Sequence, residues 1–145
     1  MGEAIVNRYG KGNVRAFSAG SHPTGQVNPL AIETLTEMGL PTDGVRSKSW
    51  DEFAGPDAPP LHFVFTVCDK AAAEACPFWP GQPLTAHWGV EDPAAVEGPL
   101  EVKRAAFQRA AFLLKRRIEL FLSLPIASLD SLTIQHRLRE IGRST

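Results

Sequence analysis

Long apolar runs are missing from this 145-residue sequence: none approaches the roughly 20 residues needed to span a bilayer, so a soluble chain is expected. An excess of either charge is missing too, with 15 basic and 16 acidic residues leaving a net charge of −1, and no global field calls for nucleic acid or an acidic membrane. Cysteine occurs only twice, at Cys68 and Cys76, which is too few for the disulfide framework of a small secreted domain. No charged-then-apolar N-terminal segment points to export, so a cytoplasmic location is expected, where a close cysteine pair is more often catalytic or redox-active than structural. His22, His62, His87 and His136 are scattered, without the ligand spacing of a zinc site. There is no internal repeat and no low-complexity segment, and the length fits a single domain over residues 1–145.

What is present centres on LHFVFTVCDKAAAEAC, from Leu61 to Cys76. The run Leu61 to Val67, rich in Val and Phe, reads as a strand buried on both faces of a parallel sheet. Cys68 then stands at the strand's C-terminal end, where chemistry collects in open α/β sheets, and a helix starting near Asp69 would favour its thiolate. The bland alternative is that Cys68 is a small buried hydrophobe and Cys76 an unrelated surface thiol. An intact helix between them forbids a disulfide. Eight positions at ~1.5 Å each separate the Cα atoms by about 12 Å, against the roughly 7 Å that a disulfide tolerates. Oxidation would therefore unwind residues 69–75, a segment that Ala71 to Ala73 leave with few anchors.

Elsewhere the pattern alternates helices and strands. GEAIVNRY over residues 2–9 has helical composition with Gly10 and Gly12 as its stop, and Val14 to Ser18 reads as a short strand. Asn28-Pro29 caps a helix whose apolar positions Ala31, Leu35 and Met38 share a face and which Gly39 ends. Trp50 and Phe53 are expected to anchor a turn-rich stretch onto the core, followed by a surface loop over Gly55 to Pro60. Leu84 to Trp88 is a further strand, and Asp92-Pro93 lies in the loop after it, a proline-fixed carboxylate suited to general acid work but also a common turn dipeptide. The longest helix runs from Leu100 to about Leu122, with Phe107, Ala111, Leu114 and Ile118 on one face. Ser128 is expected to cap a final helix carrying Ile134, Leu138 and Ile141 inward and ended by Gly142, while Arg137, Arg139 and Arg143 offset its dipole. The fold class is thus α/β, a parallel sheet flanked by helices.

FSAGSHPTGQVNP, RSKSW, FVFTVCDKAAAEACP and TAHWGVEDPA, followed by a long Arg/Lys helix, resemble the arsenate reductases built on the low-molecular-weight tyrosine phosphatase fold, from the first residues to about Leu122. Residues 126–143 are then a C-terminal helical extension. In that family a Cys-x5-Arg loop holds the arsenate oxyanion and its cysteine attacks arsenic; a second cysteine attacks the first, releasing arsenite, and a third attacks the second, leaving a disulfide for thioredoxin or a similar thiol donor. The resemblance implies that Cys68 is the second cysteine, Cys76 the third and Asp92 the acid that protonates the leaving oxygen. It implies no tightly bound cofactor. Glu3 and Ser18 match positions that help hold a monovalent cation in some members, and Lys48 stands where those members carry a carboxylate, so its ammonium is expected to replace the ion.

No Cys-x5-Arg occurs in the sequence, since Glu74 and Gln82 stand six positions after the two cysteines. Met1-Gly2-Glu3-Ala4 resembles the segment just after that loop in the family, so the expectation is a chain that lacks the first, central strand and its anion cradle. Such a loss rivals a domain's whole stability of about 5–15 kcal/mol, which favours a longer natural protein or a strand-swapped homo-oligomer. The enzyme is then expected to be inactive as this chain alone. Two alternatives stand beside it: a low-molecular-weight protein tyrosine phosphatase, which needs the same loop but no cysteine pair, and a non-catalytic redox-responsive binding module.

Overall fold

A computed structural model describes residues 1–20, 23–67, 79 and 82–143. Helix α1 spans Gly2–Tyr9 and buries Ile5 completely. Its last turn closes on Gly10, whose N–H donates to the Val6 carbonyl at 2.7 Å, and Gly12 then takes a φ of 83° that turns the chain back along the helix. The expected strand over Val14 to Ser18 does not form. The reason is in where its backbone groups go. Ala16 N–H donates to Asn7 Oδ1 at 2.7 Å, Asn7 Nδ2 donates to the Ala16 carbonyl at 3.1 Å, and Ser18 N–H donates to Glu3 Oε1 at 2.7 Å. Side chains of α1 take the place of a neighbouring ladder, and the bridge between Gly20 and Ser49 comes only after them.

Helix α2, Pro29–Glu37, follows its sequence signals closely. Asn28 Oδ1 accepts from Leu30 N–H at 2.9 Å, Pro29 sits at the first helical position, and Gly39 at φ 73° lets the Leu40 N–H reach back to the Leu35 carbonyl. Ala31, Thr34 and Leu35 are its buried face. Trp50 and Phe53 belong to a 3₁₀ turn, Trp50–Phe53, and pack on Trp79 and Phe17 rather than on the main core, because that turn lies on the Phe17 side of the molecule.

The described sheet has two parallel strands, β1 (Phe63–Thr66) and β2 (Leu84–His87), in register Phe63 with Leu84 through Thr66 with His87. The β1 strand is shorter than Leu61 to Val67 and half-buried rather than buried on both faces. Phe63 and Phe65 turn toward Phe121 and Trp88, with ring centroids 5.1 Å and 4.1 Å apart respectively. Among the described residues β2 is the strand beside it.

Helix α3, Leu100–Leu122, lays Ala106, Phe107, Ala110, Leu114, Ile118 and Phe121 against α1, α2 and the sheet. Helix α4, Ser131–Arg143, is capped not by Ser128 but by Asp130, whose Oδ1 accepts from Thr133 N–H at 2.7 Å. Ser128 closes a 3₁₀ turn, Ile126–Ser128, with its hydroxyl on the Pro125 carbonyl. The bond from the Thr133 backbone amide holds the Asp130 carboxyl below its ordinary pKa. A lowered folded-state pKa means that its contribution is present at neutral pH and lost as pH falls below about 4. Asp130→Asn, which keeps an accepting oxygen without the titration, is expected to lose less of its urea midpoint than the parent between pH 5 and pH 3.

Gly142 lies in the last turn of α4, one residue before Arg143. A Cβ there would stand 2.8 Å from Trp88 Cδ1 and 2.9 Å from the His87 carbonyl oxygen, so only glycine admits this approach. The docking has a direction. Leu84 and Trp88 donate their N–H groups to β1, at His62 and Thr66, which turns the carbonyls of Thr85 and His87 outward. Gln135 Nε2 donates to the Thr85 carbonyl and Gly142 closes on that of His87, so α4 runs along the outer edge of β2. Ile134, Leu138 and Ile141 complete the core there, each burial worth about 1.5–3 kcal/mol. No helix among the described residues is long and apolar enough to cross a membrane.

Candidate functional site

Because β1 and β2 are parallel, both strands deliver their C-terminal ends to one edge. Thr66 and His87 are paired there by register, and Thr66 Oγ1 lies 2.8 Å from His87 Nδ1. Two backbone bonds continue past the strand ends: Trp88 N–H to the Thr66 carbonyl and Val90 N–H to the Val67 carbonyl, both 2.7 Å. The second is a clasp, joining the residue before Cys68 to a residue two short of Asp92. Cys68 and Cys76 themselves lie outside the described residues.

Asp92 is exposed and caps a short 3₁₀ turn, Pro93–Ala95, with Oδ1 accepting from Ala94 N–H at 2.9 Å. Pro93 at the first position of that turn fixes the backbone from which the carboxylate departs, as its dipeptide implied. The strap of residues 88–90 is held from below as well. The Trp88 indole N–H donates to the Leu138 carbonyl at 2.9 Å, and Arg117 Nη1 donates to the Gly89 carbonyl at 3.0 Å. Arg117 is buried on the core-facing side of α3, and burial pushes its pKa down. Neither Arg117 nor the Thr66–His87 pair emerges from motif reading. Arg117 did leave a signal, since Ala110, Leu114, Arg117 and Phe121 recur at helical spacing and the arginine breaks an otherwise apolar stripe.

A second cluster forms where α1 meets the segment before the 3₁₀ turn at Trp50. Lys48 Nζ lies 3.0 Å from Glu3 Oε1, and the same oxygen accepts from Ser18 N–H at 2.7 Å and lies 3.4 Å from Ser18 Oγ. The Lys48 side chain is only 4% exposed and that of Glu3 15%. The structure therefore brings Glu3, Ser18 and Lys48 together. A metal cation does not fit this donor set, because the oxygen it would need is already held by an ammonium, and the two charges would repel. Among the described residues no group of three or more His, Cys, Asp or Glu side chains is placed to hold a metal.

A half-buried parallel sheet flanked by helices, with a cysteine following one strand and an Asp-Pro turn following the next, is the architecture of a small phosphatase-like domain. The chain belongs to the low molecular weight phosphotyrosine protein phosphatase family, whose profile matches residues 1–132. Within it the similarity runs to arsenate reductases. That of Halalkalibacterium halodurans is 33% identical over 121 residues, covering 83% of this chain and 84% of that protein. That of Bacillus licheniformis is 33% identical over 124 residues with the same coverage, and that of Bacillus subtilis 31% over 121. A solved structure described as an arsenate reductase in the reduced state superposes with a TM-score of 0.58 at 20% identity, over 84% of this chain and 85% of that one, and so shares the fold. A match of that extent in a chain this short necessarily spans Lys48, Cys68, Cys76 and Asp92.

Proposed function

We propose that this chain carries the cysteine relay of an arsenate reductase. What supports the reading is the occurrence of Cys68 and Cys76, in the order and surroundings that the relay needs, within the span similar to named arsenate reductases. In this chemistry a first thiolate displaces an oxygen of arsenate, and Asp92 protonates it as it leaves. The Cys68 thiolate attacks that first sulfur, the bonding pair stays on arsenic, and arsenite departs. Cys76 then attacks the Cys68 sulfur, freeing the first thiol and leaving a Cys68–Cys76 disulfide. A thioredoxin-like or low-molecular-weight dithiol reduces it, a donor available in the cytoplasm. Two thiols lose two electrons, and arsenic gains them.

The first thiol and the anion-binding loop are not among these 145 residues. The 145-residue polypeptide is accordingly expected to show no arsenate reduction above background with thioredoxin, while mild oxidation yields a Cys68–Cys76 disulfide by mass spectrometry. Clear turnover would refute the assignment of Cys68 as second thiol; a chain that forms no intramolecular disulfide would favour the phosphatase reading. Lys48 takes the place of a cation in this proposal, neutralising Glu3 and fixing α1 against the Ser18 segment without an added ion.

A further inference from the structure

We propose that the outward face of α3 binds a second copy of this chain, through an antiparallel pairing of the two helices. This face is opposite the one that carries Ala106, Phe107, Ala110, Leu114 and Phe121 into the core. On it Arg109, Phe112, Arg116, Glu119 and Leu120 are all exposed and recur three and four positions apart, so they form one stripe along the helix. Phe112 is 70% exposed and Leu120 40%, and neither packs on the core. A single apolar side chain on a surface needs no explanation. A phenylalanine with an arginine one turn away on each side is different, because aromatic residues and arginine are what protein interfaces are enriched in.

The order of charges names the occupant. A two-fold axis crossing α3 at the level of Leu114 sets Arg109 level with the partner's Glu119 and Phe112 level with the partner's Arg116, and symmetry makes each pair occur twice. Helices packed at about 8–10 Å bring such level positions within reach of an ion pair and of a guanidinium over a ring. A parallel pairing sets Arg109 on Arg109 and Glu119 on Glu119, which repel. An anionic membrane or an acidic protein meets Glu119 on the same stripe. Within its own chain Glu119 reaches Lys115 only at 3.7 Å, a half-exposed contact that leaves it open to a better partner. One helix pair is smaller than a standard interface, so the dimer is a weak one, with a dissociation constant on the order of tens of micromolar.

The test is sedimentation velocity on the full chain over about 5–500 μM, where the parent is expected to pass from monomer to dimer. Arg109→Glu and Glu119→Arg each set like charges across the axis twice, and each alone is expected to weaken the dimer about tenfold or more. Mixing the two variants restores opposite charges at both crossings, so the equimolar mixture is expected to pair to within about threefold of the parent. The chain carrying both substitutions is expected to do the same; it keeps the parent's net charge, so general charge attraction does not account for its recovery. Should either inversion alter the circular dichroism spectrum, Arg109→Gln and Phe112→Ala carry the comparison, each expected to weaken the dimer about threefold or more. A parent that stays monomeric throughout overturns the proposal, whether or not it binds phosphatidylserine vesicles or thioredoxin through this face. A dimer indifferent to these substitutions, as one formed by strand exchange would be, overturns it, and so do inversions that neither mixing nor the double substitution repairs.

Discussion

Lys48→Met is expected to lower the unfolding free energy by about 3–5 kcal/mol, because it leaves the Glu3 carboxylate enclosed without its cation. Against a total of about 5–15 kcal/mol, that is enough to unfold a marginal domain. The size of the effect depends on which partner is removed. An intact buried ion pair contributes little beyond a well-packed apolar pair, since desolvation offsets the attraction; a buried carboxylate that loses its ammonium keeps the Ser18 N–H but loses the charge that offset most of its desolvation cost. Glu3→Gln in the same protein should therefore recover most of the loss, as the neutral amide still accepts from the Ser18 N–H. A double-mutant cycle by urea denaturation reads the coupling directly. A further consequence is a new salt requirement. With the ammonium gone, the Glu3 and Ser18 oxygens present a small anionic niche, and Lys48→Met should be stabilised by potassium or sodium ions beyond any effect of choline at equal ionic strength. A variant indifferent to the choice of cation, and as stable as the parent, would show that the pair is ornamental.

Trp88→Ala is the second large effect, an expected loss of about 3–5 kcal/mol. The Trp88 ring is 3% exposed, lies 4.1 Å from Phe65 and 6.2 Å from Phe121 between centroids, and donates its indole N–H to α4. Truncation removes a keystone between sheet, α3 and α4, so the damage is expected to concentrate in α4, whose amides should lose hydrogen-exchange protection before those of α3. Trp88→Phe separates the contributions. It keeps most of the ring contacts but removes the indole N–H that the Leu138 carbonyl accepts, an expected cost of about 0.5–1.5 kcal/mol. Equal protection of α3 and α4 in Trp88→Ala would mean that the tryptophan serves the core as a whole rather than the docking of the last helix.

The features that were legible in the sequence are those whose cause is local. Asn28-Pro29 and Gly39 bound α2 because capping and left-handed closure are settled within a few residues. The apolar stripe of α3 runs from Leu100 to Leu122 as its periodicity requires. The misreadings have tertiary causes. Val14 to Ser18 has strand composition, but Asn7 and Glu3, side chains from another element, claim its backbone. Gly142 stands in the last turn of α4 as expected, but the reason for glycine there is tertiary, since Trp88 and the His87 carbonyl come too close for any Cβ. Ser128 and Asp130 are both credible caps two positions apart, and only the geometry of the Pro125 turn decides between them. At the candidate site, the convergence of Glu3, Ser18 and Lys48 was readable only through the family resemblance, because nothing in spacing links positions so far apart. Arg117 was marked by its place on an apolar stripe, but its target, a backbone carbonyl, has no signature in the sequence at all.

The course of α4 along β2 makes the sheet directional. With the Thr85 carbonyl taken by Gln135 and the His87 carbonyl pressed against Gly142, a strand arriving from that side would find its hydrogen-bonding groups occupied and its path filled by a helix. Among the described residues, growth of the sheet is thereby left to the flank of Phe63–Thr66. Among the described residues, the berth left for a synthetic β-strand peptide is alongside β1, and complementation by an added strand is expected to be felt first at the edge where Thr66 and His87 end the two strands.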